Sequence, residues 1–220
     1  MSNGGAPASN EPSPELMRTA AKNDRKRSIV NSIRGFVSFA IFVATVVIAA
    51  LLINQFIFQS YYVDGTSMTP TLQNNDRLII DKTGKTIAGI EGKAYVPNRG
   101  DIVILDSSIM DQYGHDEQLI KRVIGLPGET IDIQDGIVTI KNAAHPDGFN
   151  ANQELGLHLA STYSDGPLEV KIPAGCVFVM GDNRVQNGSF DSRSFGAVPT
   201  TKIQGRLALR IFPFNQVRTF

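Results

Sequence analysis

Cysteine is almost missing: Cys176 stands alone in 220 residues, so no intrachain disulfide can form and no CxxC pair is present to hold a metal or carry redox chemistry. With Val177 and Phe178 beside it, Cys176 reads as a small buried apolar side chain. An excess of charge is missing too. The chain has 21 Lys and Arg against 21 Asp and Glu, and no basic block follows residue 34. That leaves no electrostatic footprint for a nucleic-acid backbone and no reason to expect a polyanionic partner. Histidine is scarce, and its placing is unhelpful for catalysis: His115 lies in a polar GHDE loop, while His145 and His158 fall in an irregular stretch. All three read as solvated surface residues.

The longest absence is of charge along the chain. Between Arg34 and Asp64 no residue carries a formal charge, and Phe36 to Phe58 is dominated by Val, Ile, Leu, Phe and Ala. A hydrocarbon core takes roughly 20 apolar helical residues, so one transmembrane helix is expected over 35–60, with Asn54 and Gln55 near its far interface. The run is too long for a cleaved signal peptide, whose apolar region has about 7–15 residues. No second apolar helix is present against which a buried core helix could pack. Tyr61 and Tyr62 fit an interfacial aromatic belt. Arg18, Lys22, Arg25, Lys26, Arg27 and Arg34 precede the span and Asp64 follows it, which puts the N-terminus in the cytoplasm and residues 61–220 outside. Residues 1–34 read as a cytoplasmic disordered and basic tail, the first 16 rich in Ser, Asn, Pro, Gly and Ala.

From Tyr62 onward short β-rich runs alternate with turn signals, so the outer domain reads as mostly β. Arg77 to Asp81, Asp101 to Leu105, Leu119 to Ile124, Thr130 to Gln134, Ile137 to Lys141, Cys176 to Met180 and Leu207 to Phe212 are the expected strands. Asp135-Gly136 between two alternating runs predicts a hairpin with a type I′ turn. Residues 142–168 show no clear period and suggest an irregular excursion, part of a smaller inserted subdomain over about 130–175.

The segment VDGTSMTPTL, Val63 to Leu72, presents Ser67 between a glycine turn and a proline turn close to the span. On its own this is equally a polar linker. It lacks the closing glycine and following helix of a nucleophile elbow. A serine nucleophile needs a base, and a lysine can serve if burial lowers its pKa by about three units from its reference near 10.4, at a cost of about 4 kcal/mol. The test is therefore a lysine inside an apolar strand. Lys121, flanked by Leu119, Ile120, Val123 and Ile124, satisfies it best, and Lys171 between Val170 and Ile172 is second. Taken alone, either could instead point outward and carry its ammonium to water.

The joint pattern resembles a known family. SMTPTL at 67–72, NDRLIIDK at 75–82, IKRVIGLPGE at 120–129, and GDNR at 181–184 with SFDSRSFG at 189–196 resemble, in order, the boxes of the bacterial type I signal peptidases, in their Gram-positive pattern. The resemblance implies a mostly antiparallel, coiled β-barrel-like catalytic domain with a small β extension behind one N-terminal transmembrane helix. It implies a membrane-bound serine endopeptidase, needing no metal or organic cofactor, that removes signal peptides from exported preproteins. Ser67 would be the nucleophile and Lys121 the general base. Ser189 would orient the lysine amine, Asp191 and Arg193 would form a structural ion pair behind it, and backbone N–H groups around Ser67 would hold the oxyanion. The positions matching the family's substrate pockets are Val63, Met68, Leu72, Leu119 and Ile120, with Gly65 where some members place an extra hydroxyl. The loop from Arg184 to Ser189 is about two residues longer than the common spacing. The implied partners are secretory preproteins with small residues before the cut, and membrane lipid. Two rivals stay open: a dedicated processing enzyme with narrow substrates such as pilins, or another Ser/Lys peptidase of the self-cleaving kind; and a silent tethered β module that binds exported chains.

Overall fold

Apolar residues at every second position decide most of this architecture, because a strand that alternates buried and exposed side chains can close a core on one face. The computed structural model describes residues 14–109 and 117–220, with side chains over 33–108 and 117–220. Its first element, α1, is a helix over Pro14–Phe56. Within it Ile33–Phe56 is a stretch of 24 residues whose most apolar 18-residue window has a mean hydropathy of 2.9 and is not buried, long and apolar enough to cross a bilayer. The helix is thus already formed well before residue 35 and stops at Phe56, earlier than the 60 expected. The tail expected over the first residues lies, up to residue 13, outside the described residues, as does His115.

Leu52–Phe220 makes a compact unit of its own. Its main sheet is antiparallel, in the order β1 (Phe58–Tyr62), β2 (Arg77–Asp81), β11 (Ile203–Phe212), β3 (Ile102–Leu105), β4 (Leu119–Gly125), β9 (Cys176–Met180) and β10 (Val198–Pro199), with β12 (Arg218–Thr219) added to β11. The ends do not pair, so the sheet is an open half-barrel. A second antiparallel sheet, β7 (Phe149–Asn150), β6 (Ile137–Lys141), β5 (Thr130–Gln134) and β8 (Leu168–Lys171), forms the extension. Its β5–β6 hairpin turns at Asp135 (φ 51°) and Gly136 (φ 79°), the two positive φ values that a type I′ turn requires. Short helices α2 (Thr83–Ile90), α3 (Ala151–Glu154) and α4 (Ser192–Phe195) fill the connections.

Three apolar clusters hold these layers. Val63, Met68, Leu72, Leu78 and Ile80 pack beneath the loop between β1 and β2. Val103, Leu105, Val123 and Val179 fill the middle of the main sheet. Ile124, Ile131, Ile133, Ile140 and Phe178 join the two sheets. Tyr61 packs half-buried against the first cluster, whereas Tyr62 is exposed, its hydroxyl donating to Asn75 Oδ1 at 3.2 Å.

Candidate active site

Ser67 lies in the loop joining β1 to β2, and the loop is tied at its root. Val63 N–H donates to Asp76 O and Asn75 N–H donates to Val63 O, both at 2.9 Å. Gly65 takes φ +99°, which a side chain rarely adopts, and its N–H donates to Asn74 Oδ1 at 2.9 Å. Met68 and Leu72 drop their side chains into the core at 1% and 0% exposure, anchoring the turn from below. They are floor, absent from the lining of the groove described below.

Lys121 arrives on β4, where it pairs with Val103 of β3. Neighbouring strand residues point to opposite faces, so Lys121 and Arg122 serve different partners. Lys121 Nζ lies 2.9 Å from Ser67 Oγ and donates to the Ile120 carbonyl at 2.9 Å. The residue is 2% exposed. Burial pushes the ammonium down to about 8, the Asp191 carboxylate pulling against this and the Arg193 guanidinium adding to it. Lys171, the second candidate base, is exposed on β8. His145 and His158 are exposed as well.

The other box residues hold the pair. Asn183 N–H donates to the Ser67 carbonyl at 3.0 Å and its Nδ2 to the Thr66 carbonyl at 3.2 Å. Asp191 is fully buried and receives a two-pronged contact from Arg193, Nε to Oδ1 and Nη2 to Oδ2 at 2.8 Å each, and the Gly181 N–H at 2.9 Å. Burial alone would raise the Asp191 carboxyl; Arg193, the Gly181 N–H and the nearby Ser189 hydroxyl outweigh it and hold the group below the usual carboxylate range. Ser189 Oγ is buried and meets no hydrogen-bond geometry, either with that carboxylate or with Lys121. It stands against Gly181, where an added Cβ would come within 2.2 Å of Ser189 Oγ and 2.4 Å of the Ser67 carbonyl oxygen.

Sequence reasoning missed a second ion pair. Arg122 Nε and Nη2 donate to Asp182 at 2.8 and 2.6 Å, Thr71 Oγ1 donates to the same carboxylate, and Arg122 Nη1 donates to the Gly100 carbonyl at 2.8 Å. This joins β4, the Ser67 loop and the 181–184 turn. The signal was present in the charged Arg122 inside an apolar strand, since a buried guanidinium demands an anion.

A groove of about 330 Å³ opens on the pair, lined by Tyr61 to Asp64 and Ser67 on one stretch and by Glu117 to Lys121 on another. The sheet curls enough for β1, at one end of its order, and β4 to face one space. Val63, Leu119 and Ile120 are in that lining; Gly65, Met68 and Leu72 are not. The Ser67 backbone N–H has no acceptor among the described residues.

Comparison with known proteins gives a consistent result. The family model described as "Signal peptidase, peptidase S26" matches residues 36–212. Signal peptidase I T of Bacillus subtilis is 38% identical over 178 residues, covering 78% of this chain and 83% of that protein. Signal peptidase I S of the same organism is 35% identical over 207 residues, 88% of this chain and 98% of that protein. A crystal structure of a signal peptidase I from Enterococcus faecalis is 28% identical, covers 51% of this chain and 97% of that chain, and superposes with a TM-score of 0.37. With the family model spanning most of the chain and relatives above a third identical along most of its length, the chain belongs to the signal peptidase family and is a peptidase, a hydrolase of that class.

Proposed function

We propose that this chain is a membrane-anchored endopeptidase that cuts signal peptides from exported preproteins with Ser67 as nucleophile and Lys121 as base. The observation that carries the reading is the 2.9 Å approach of a buried, pKa-lowered Lys121 Nζ to Ser67 Oγ. A neutral amine at that distance accepts the hydroxyl proton as Oγ attacks the scissile carbonyl carbon. The oxyanion is received by the Ser67 N–H. The ammonium then gives its proton to the departing amine, leaving an acyl-serine. A water next loses a proton to Nζ as it adds to the acyl carbon, and Nζ returns that proton to Ser67 Oγ as the acyl–oxygen bond breaks and the new carboxyl group leaves, ionising in solvent. Asp191 and Arg193 form the ion pair behind the site. Ser189 orients the lysine amine once its hydroxyl rotates toward Nζ; its buried Oγ meets no hydrogen-bond geometry among the described residues.

The apolar helix holds the enzyme in the membrane that holds its substrate, with the basic flank inside and the catalytic unit outside. Substrate enters the groove extended. Its backbone bonds along the Tyr61–Asp64 and Glu117–Lys121 stretches, and small side chains fit beside Val63, Leu119 and Ile120. The test is cleavage of a membrane-inserted preprotein bearing an Ala-X-Ala site, with the cut located by mass spectrometry. The intact chain should cut after the last alanine, and Ser67→Ala and Lys121→Ala should be inactive. Full activity in either variant sinks the dyad, and an intact chain that cuts nothing favours a silent binding module or a narrow dedicated substrate.

A further inference from the structure

A second concavity borders the site and shares no lining residue with the groove. About 470 Å³ in volume, it is lined by the 163–168 loop, by Val185, Asn187, Ser189 and Phe190, and by Arg193 and Ser194. A neighbouring hollow of about 550 Å³ shares Tyr163, Ser164, Gly166, Pro167 and Val185 with it and runs on to the Asp135–Gly136 turn. Together they make one trough leading from Ser189 to the tip of the β5–β6 hairpin. Its inner end reaches Ser189, which is separated from the Ser67 loop by Gly181 alone: a Cβ added there would meet both Ser189 Oγ and the Ser67 carbonyl oxygen.

The trough has a fixed shape. Tyr163 N–H donates to the Arg184 carbonyl at 2.8 Å, Arg193 Nη1 donates to the Tyr163 carbonyl at 2.8 Å, and Gln186 Nε2 donates to Tyr163 Oη at 2.9 Å. The 163–168 and 185–188 walls are therefore bonded to each other and to the Arg193 that backs the site. Its charge is one-sided. Arg193 is the one cation in the lining and is spent on Asp191, whereas Asp165 and Asp135 are exposed carboxylates. Among the described residues Asp165 accepts from the neutral Tyr163 hydroxyl alone, at 2.8 Å.

A chain that fills the groove up to Ser67 must leave the site elsewhere after the scissile bond, and this trough opens beside that point. We propose that it receives the substrate residues following the cut and that Asp165 and Asp135 favour basic side chains there. This rests on the peptidase reading above. It adds a selectivity located in loops that the groove does not touch.

The test uses the full-length chain in detergent micelles and peptides identical before the cut, carrying either one residue or six after it. Val185→Arg, at a half-exposed position of the wall, should lower kcat/KM about fivefold or more for the long peptide and leave the short one unchanged. Between long peptides with Lys or Glu at the second and third positions after the cut, the unaltered chain should prefer Lys by about fivefold at low salt, the size of one or two exposed charge interactions. Asp165→Asn combined with Asp135→Asn should erase that preference while leaving the short peptide untouched. Equal losses on long and short peptides, or a Lys preference that survives in the double variant, would overturn the proposal and leave the peptidase reading standing. If the unaltered chain cuts neither peptide while the preprotein assay also fails, the peptidase reading falls and the trough proposal with it.

Discussion

Lys121 carries the sharpest conflict between stability and activity in the molecule. As the proposed base it needs a neutral amine, and burial brings its pKa to about 8 from an unfolded value of 10.5. The rate of cleavage should therefore rise with pH and level off above about 8, provided the acyl-transfer step limits. The linkage has a definite sign. Between about 8 and 10.5 the unfolded chain binds more protons than the folded one, so stability increases with pH through that window. Below about 8 the folded state carries the whole burden, on the order of 3 kcal/mol. Lys121→Met should accordingly be inactive yet melt higher than the unaltered chain at pH 7, with the difference shrinking toward pH 10.5. A Tm gap that is absent at pH 7, or that widens with pH, would contradict the buried-ammonium account. Lys121→Arg should be inactive without this relief, because a guanidinium stays charged. Gly65 shows a different constraint. Nothing lies within 4 Å of where its Cβ would stand, so Gly65→Ser meets no clash, but φ +99° costs a side chain roughly 1–3 kcal/mol. Scanning calorimetry should show a lower Tm, and kcat/KM should not rise with the added hydroxyl.

Among the elements, the 181–184 turn holds the loop that carries Ser67, the proposed nucleophile, through Asn183. Gly181→Ala would put a methyl 2.4 Å from the Ser67 carbonyl oxygen, a backbone atom that cannot yield without moving the nucleophile loop. Activity should fall by a hundredfold or more, the scale of a 1 Å misplacement, with a smaller change in Tm. Asp182→Asn removes the charge facing Arg122 and should cost about 3–5 kcal/mol by leaving a buried guanidinium without its anion. Urea unfolding would measure it.

How much of this was legible varies element by element. Arg77–Asp81, Thr130–Gln134 and Ile137–Lys141 fall where their period-2 patterns put them, because alternation and turn chemistry act locally. β1 was hidden inside the apolar run, where composition cannot distinguish the end of a span from the start of a strand. α2 was hidden because TGKTIAGI is short and has two glycines. Local surroundings made Ser67 and Lys121 candidates, a hydroxyl between two turns and a lysine in an apolar strand, but only the joint pattern of boxes selected them. The Arg122–Asp182 pair could not be read in this way, since its partners stand 60 residues apart and only the β4–β9 pairing brings them together.

At the scale of the whole molecule, the division at Leu52 determines where the anchor can be removed. The catalytic unit holds its own three cores, so a chain without the apolar helix should fold. The place of the cut matters, however, because β1 starts at Phe58 and pairs with β2 from Phe58↔Asp81 to Tyr62↔Arg77. Lys82 N–H also donates to the Ile57 carbonyl at 2.8 Å, and Thr86 Oγ1 to the Phe56 carbonyl at 2.7 Å. A chain beginning at Leu52 keeps all of these. One beginning at Tyr61, the boundary the apolar composition suggests, loses the Phe58, Gln59 and Ser60 pairs and both carbonyl contacts, for a cost of about 2–4 kcal/mol at roughly 1 kcal/mol per net hydrogen bond. The Leu52 form should melt clearly higher than the Tyr61 form and should cut a soluble peptide about as well as the full chain. It should cut a membrane-inserted preprotein much less well, since enzyme and substrate no longer share a surface. Equal Tm values for the two truncations would show that β1 adds nothing to the sheet. Undiminished cleavage of the membrane-held preprotein would show that the anchor does not serve to bring enzyme and substrate together.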